Sequence, residues 1–181
     1  MSFVLLKIFF KLQVKGKEVF PYEQPFILAA NHISHIDTVV IGVGCPRRLH
    51  YLAKEELFKN KLFGLYLKKL NVIPLKRSRT DFRALRLALM ILREKPLAIF
   101  PQGTRADSYD SFKAGAGFLY KKTEVPIIAA KVCGTDIVLP RNAKFFKAGK
   151  IKVIFERVAN IKQDDSYEEI TAKIIAKIKS L

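Results

Sequence analysis

At 181 residues the chain supports one sizeable hydrophobic core without a second domain, and a hydrophobic share of 50% excludes a disordered tail. Its formal charge of +17, from 33 Lys and Arg against 16 Asp and Glu, attracts polyanions: an anionic bilayer, coenzyme A, an acidic carrier protein or nucleic acid. No zinc-finger pattern, GxxG clamp or basic heptad array accompanies that charge, which argues against nucleic acid.

The N-terminal stretch from Met1 to Leu12 has no small-residue cleavage signal. No uninterrupted apolar run reaches the roughly 18 to 20 residues needed to cross a bilayer. As a helix, residues 1–12 set Lys7 and Lys11 one turn apart beside Phe3, Leu6, Phe9 and Phe10. Two placements suit that pattern: an interfacial helix with its lysines towards lipid headgroups, or a first helix docked on the core.

Pro25 to Ala30 reads as a buried strand, ending at Asn31 where polar chemistry begins. A helix over Ile36 to Val43 is stopped by Gly44 and Pro46, with Cys45 at the helix end. The two cysteines, Cys45 and Cys133, are too few for a disulfide scaffold or a structural zinc site and fit a reducing compartment. A short strand over Leu49 to Ala53 precedes a Lys-rich helical region through Leu70, a strand over Asn71 to Leu75, and the basic connection Lys76 to Arg79.

Phe82, Leu85, Leu89 and Leu92 recur at helical spacing and define one apolar face, closed by Lys95-Pro96. Leu97 to Phe100, Val125 to Val132 and Ile151 to Phe155 supply further strands. Ser166 and Glu169 form a capping-box signal for a last helix whose Ile170, Ile174, Ile178 and Leu181 share a face. Strands alternating with helices predict a layered α/β domain with a mixed, largely parallel sheet.

Two segments carry chemistry. Asn31-His32-Ile33-Ser34-His35-Ile36-Asp37 places an imidazole near a carboxylate. A histidine abstracts protons near neutral pH, and a carboxylate holds its other ring nitrogen in the useful tautomer. On one ideal helix His32 and Asp37 would diverge by about 140°, so they meet best with His32 in a strand-to-helix turn and Asp37 in the first helical turn. Asn31 or Ser34 is expected to cap that helix. His35 diverges from Asp37 if both are helical, and a metal held by His32, His35 and Asp37 lacks a convincing fourth ligand.

The second segment is Phe100-Pro101-Gln102-Gly103-Thr104-Arg105. Gly103 permits close backbone approach, Thr104 offers a hydroxyl, and Arg105 suits phosphate. It is no Walker loop, because Gly-Lys-Ser/Thr does not follow. Downstream, Lys113-Ala114-Gly115-Ala116-Gly117 carries glycines that suit a turn.

In this order the segments closely resemble the glycerolipid acyltransferases, the lysophosphatidic-acid acyltransferase family. Asn31, His32 and Asp37 match its Asn-His-x4-Asp signature, and Phe100, Pro101, Gly103, Thr104 and Arg105 match its Phe-Pro-Glu-Gly-Thr-Arg block. Gln102 stands where the family usually has Glu, and Asn71 where Gly commonly precedes the second block. Val72-Ile73-Pro74-Leu75-Lys76-Arg77 is similar to that block, and Val125-Pro126-Ile127-Ile128 to the fourth; the likeness covers roughly residues 20 to 135.

The resemblance implies a glycerol-phosphate-acyltransferase-like fold over residues 1–181. It also implies acyl transfer from an acyl-coenzyme A or acyl-carrier-protein thioester to the free hydroxyl of a lysophosphatidate, giving phosphatidate. Other acceptors are glycerol 3-phosphate or another lysophospholipid. His32 would be the base and Asp37 its positioning carboxylate. Lys76, Arg77, Gly103, Thr104 and Arg105 would form the substrate-binding set. The implied chemistry needs no metal and no resident cofactor, and its place is the cytoplasmic face of an anionic membrane, attached peripherally. A second class is a non-catalytic basic module, which would show a continuous basic surface unrelated to any groove joining His32, Gly103 and Arg105.

Overall fold

The computed structural model describes residues 3–59, 61–75, 82–101, 114–140, 143 and 145–181. Its centre is β2 (Ile27–Ala30), in which all four residues are buried. An apolar run without polar alternation belongs in a strand covered on both faces. Side chains alternate accordingly: Leu28 and Ala30 enter one core layer, Ile27 and Ala29 the other.

β2 lies between β5 (Leu97–Ile99) and β6 (Ile127–Cys133), parallel to both. Beyond β5 come β3 (His50–Lys54) and the edge strand β4 (Val72–Leu75), again parallel. On the other side β7 (Lys152–Arg157) runs antiparallel to β6 and pairs in parallel with β1 (Gln13–Lys15). The sheet order is β1-β7-β6-β2-β5-β3-β4, so it is mixed and largely parallel as the sequence predicts. The three-residue β1 had no apolar run to announce it, since only Val14 is partly buried.

One core layer receives Leu6 and Phe10 of α1 (Phe3–Phe10), Val40 and Ile41 of α2 (Asp37–Gly44), and Leu67 of α3 (Lys61–Lys69). Phe20, Phe26 and Phe155 meet in the same layer, with ring centroids 5.3 Å apart for Phe20–Phe26 and 4.8 Å for Phe20–Phe155. Truncating the fully buried Phe155 to Ala would cost about 3–5 kcal/mol. The opposite layer receives Ala88 of α4 (Phe82–Ile91), Ala116 and Leu119 of α5 (Gly115–Thr123), and Ile170, Ile174 and Ile178 of α7 (Tyr167–Ser180). Between β6 and β7 lies α6 (Thr135–Val138), one helical turn.

Two expectations change, and α1 takes the second of its two stated placements. Leu6 and Phe10 lie in the core, so α1 is docked, leaving Ile8 and Phe9 exposed. Gly115 and Gly117 sit in α5 instead of a turn; a Cβ on Gly117 would come within 2.0 Å of the Tyr167 carbonyl oxygen, so Gly lets α5 approach α7. Neither Asn31 nor Ser34 caps α2, whose flanking residue Ile36 makes no side-chain cap. Their polar groups are used elsewhere.

Because β2, β5 and β6 are parallel neighbours, their carboxyl ends share one edge of the sheet. After β2 the chain leaves for α2 on one face, and after β5 it reaches α5 on the other. Adjacent strands whose connections diverge in this way open a crevice at their carboxyl ends, where ligands bind in open α/β sheets.

Candidate active site

The turn from β2 into α2 is fastened by its own side chains. Asn31, 3% exposed, donates from Nδ2 to the Val132 carbonyl at 2.8 Å and accepts the Val132 amide at Oδ1 at 2.7 Å. A side-chain amide thus continues the pairing with β6 where the β2 backbone has turned away. Ser34 Oγ donates to the Leu139 carbonyl at 2.8 Å, tying the turn to the segment after α6.

Asp37, at the first position of α2, has no solvent exposure. Its Oδ2 accepts the Ile33 amide at 2.7 Å, the Ser34 amide at 2.8 Å and His32 Nδ1 at 3.0 Å. An oxygen already receiving two backbone N–H groups acts as an acceptor, which makes Nδ1 the protonated ring nitrogen and Nε2 the basic one. A carboxylate in the first helical turn also lies favourably with respect to the helix dipole.

The His32 ring is held on its face as well. Phe100, immediately after β5, stacks on it with centroids 4.1 Å apart and planes at 22°. In the sequence Phe100 is one residue of a motif with no task of its own; the topology supplies one by setting the β2 and β5 ends side by side. The His32 side chain keeps 20% exposure, so the imidazole is confined without being fully buried. This arrangement suits proton removal from a hydroxyl at the carboxyl edge of the sheet.

The structure brings His32 and Asp37 together. Lys76 and Arg77 follow β4, and Gln102, Gly103, Thr104 and Arg105 follow Phe100-Pro101; all six lie outside the described residues. The described strands β4 and β5 end at the same carboxyl edge as β2, since β3, β4 and β5 are parallel to β2. His35 is exposed on the turn. Cys45 is the C-cap of α2, and burial pushes its thiol up to about 11, unlike an activated nucleophile. Among the described residues no group of three or more His, Cys, Asp or Glu side chains is arranged to hold a metal ion.

The class follows from comparison with known proteins. The family described as Acyltransferase matches residues 11–132, two-thirds of the chain and both site segments. The 1-acyl-sn-glycerol-3-phosphate acyltransferase of Bacillus subtilis is 33% identical over 154 residues, covering 83% of this chain and 75% of that protein. A chloroplastic enzyme of the same description from Arabidopsis thaliana is 26% identical over 174 residues, covering 92% of this chain and 49% of its own length. The crystal structure of the 1-acyl-sn-glycerophosphate acyltransferase from Thermotoga maritima superposes with a TM-score of 0.78 at 30% identity, over 93% of this chain and 69% of that one. This chain belongs to the glycerolipid acyltransferase family.

Proposed function

We propose that the protein transfers a fatty acyl group from an acyl-coenzyme A or acyl-carrier-protein thioester to the free hydroxyl of a lysophosphatidate, forming phosphatidate. The observation that carries this reading is the His32 Nδ1 contact to the buried Asp37 carboxylate at 3.0 Å. It leaves Nε2 as the basic nitrogen, the group that acyl transfer to an alcohol requires.

In the proposed reaction His32 Nε2 takes the proton of the acceptor hydroxyl as its oxygen attacks the thioester carbonyl. Asp37 stabilises the imidazolium as it forms. The tetrahedral intermediate collapses, the C–S bond breaks, and the leaving thiolate recovers the proton from His32. Arg77 and Arg105 hold the acceptor phosphate, Lys76 assists, and Gly103 and Thr104 complete the substrate-binding set. The sum is ester plus free thiol, with no covalent acyl-enzyme. The similar proteins from Bacillus and Thermotoga are described as acting on 1-acyl-glycerol 3-phosphate, which favours lysophosphatidate over glycerol 3-phosphate as acceptor. Acyl acceptors of this kind reside in membranes, and the charge of +17 suits peripheral attachment to an anionic cytoplasmic face. No helix among the described residues is long and apolar enough to cross a membrane.

The test is acyl transfer with coenzyme-A and carrier-linked donors of matched chain length against lysophosphatidate, other lysophospholipids and glycerol 3-phosphate, read by product mass. Phosphatidate as the main product is expected. Absence of acylated product from every pair, or equal use of phosphate-free acceptors, would overturn the proposal.

A further inference from the structure

We infer that the carboxyl edge of the sheet carries a lipid-docking face built jointly by α1 and the segment joining β6 to β7, with an anionic bilayer as its occupant. This rests on the proposed membrane attachment and gives that attachment a surface. Five large apolar side chains stand out of these two segments: Ile8 is 67% exposed, Phe9 66%, Ile137 61%, Phe145 82% and Phe146 54%. The two segments are far apart in sequence and meet in space through Phe10 and Phe146. The Phe146 ring centroid lies 5.6 Å from that of Phe10, which lies 6.5 Å from that of Phe9. The Ile151 amide donates to the Phe10 carbonyl at 3.0 Å, and the Lys147 amide to the Val138 carbonyl at 2.8 Å, so backbone bonds fix both segments.

Topology puts this surface at the catalytic edge. β1 begins where Gln13 faces Lys152, the first residue of β7, and Lys152 in turn faces Cys133, the last residue of β6. The end of α1 and the β6–β7 connection therefore lie at the edge from which the His32 turn emerges. The Ser34–Leu139 hydrogen bond joins that turn to the same connection. At the opposite edge Tyr22 and Met90 are exposed in separate segments preceding β2 and β5.

The charge around the apolar side chains identifies the occupant. Lys7, Lys11, Lys147 and Lys150 are exposed; residues 1–17 contain no Asp or Glu, and Asp136 is the one acidic residue between β6 and β7. Exposed apolar side chains with exposed lysines in the same segments match a bilayer interface, where the former enter the acyl boundary and the latter meet lipid phosphates. A second copy of this chain would bring an equally cationic face against this one, and like charges repel. Docking here presents the His32 crevice to acceptors held in the bilayer.

Flotation of the full chain with phosphatidylcholine vesicles, with and without phosphatidylglycerol, tests the inference. Two double variants are compared with wild type, Ile137→Ser with Phe145→Ser and Lys147→Glu with Lys150→Glu, each checked by thermal unfolding. The second pair alters only exposed lysines and keeps the test open if the first pair folds poorly. Partitioning onto anionic vesicles should fall on the order of tenfold in each variant. Transfer to a vesicle-borne acceptor should fall in parallel, while transfer to a detergent-dispersed acceptor stays at wild-type level. Unchanged flotation of either folded variant would overturn the inference. So would self-association of the wild type that the Phe145→Ser change abolishes, because a second copy would then cover the face. Failure of wild type to acylate the dispersed acceptor would refute the acyl-transfer reading alone, with flotation still deciding the docking face.

Discussion

The first turns of α2 and α7 use the same ingredients, a carboxylate and backbone amides, to different ends. At α7 the Ser166 hydroxyl accepts the Glu169 amide at 3.1 Å, and the Glu169 carboxylate accepts the Ser166 amide at 2.6 Å. That carboxylate is exposed, and its bonds from Ser166 hold it below the ordinary glutamate range. At α2 the carboxylate of Asp37 is fully buried and turned out of the helix, towards the preceding loop and an imidazole. A helix start that satisfies only itself stabilises the fold. One whose carboxylate is directed at a neighbouring titratable ring positions that ring for chemistry.

The contrast is broken most severely at His32. His32→Ala should lower kcat/KM by about 10³–10⁴-fold without changing the melting temperature, as loss of a general base does. Asp37→Asn should cost about 10²–10³-fold, because the amide cannot support the imidazolium and introduces a donor towards amides that already donate. Ala at Arg77 or Arg105 should raise KM for the phosphate-bearing acceptor about tenfold or more, leaving the donor KM unchanged, as expected for loss of a charge-assisted bond of about 1.5–3 kcal/mol. Varying the two substrates separately reads this.

Phe100→Ala should lower kcat by about two- to tenfold with little change in either KM, since a stacked aromatic pair contributes about 0.5–1.5 kcal/mol to holding the His32 ring. Phe100→Tyr should restore activity if the stack is what matters. On the other side of the comparison, Ser166→Ala should reduce stability in urea by about 1 kcal/mol and leave kcat alone. Glu169 supplies the sign of the accompanying pH effect. A carboxylate with a lowered folded-state pKa stabilises above its unfolded pKa and loses that contribution as pH falls through the folded value. The wild type should lose this share on acidification, and Ser166→Ala should lose less.

Which of these features the sequence discloses depends on how far away each partner lies. The α7 cap is legible because Ser166 and Glu169 are three residues apart and each is the other's partner. The strands β2, β5 and β6 are legible because burial on both faces demands continuous apolar runs. The His32–Asp37 contact is legible as a possibility, since one turn spans it. For Asn31 and Ser34 capping is the option that local sequence offers; their partners, Val132 and Leu139, lie on or beyond β6 and more than a hundred residues away. Phe100 likewise stacks on His32 only because the sheet places β5 beside β2. The same distance separates Phe10 from Phe146, so the exposed face they border appears only after the chain has folded.

The most direct test of the central claim is a double-mutant cycle on kcat/KM with His32→Ala, Asp37→Asn and the pair combined, using lysophosphatidate and one matched thioester donor. If Asp37 acts through His32, the combined variant should be no slower than His32→Ala alone, and the coupling should account for nearly the whole Asp37 effect. Additive losses in folded proteins, or wild-type turnover by His32→Ala, would contradict the account.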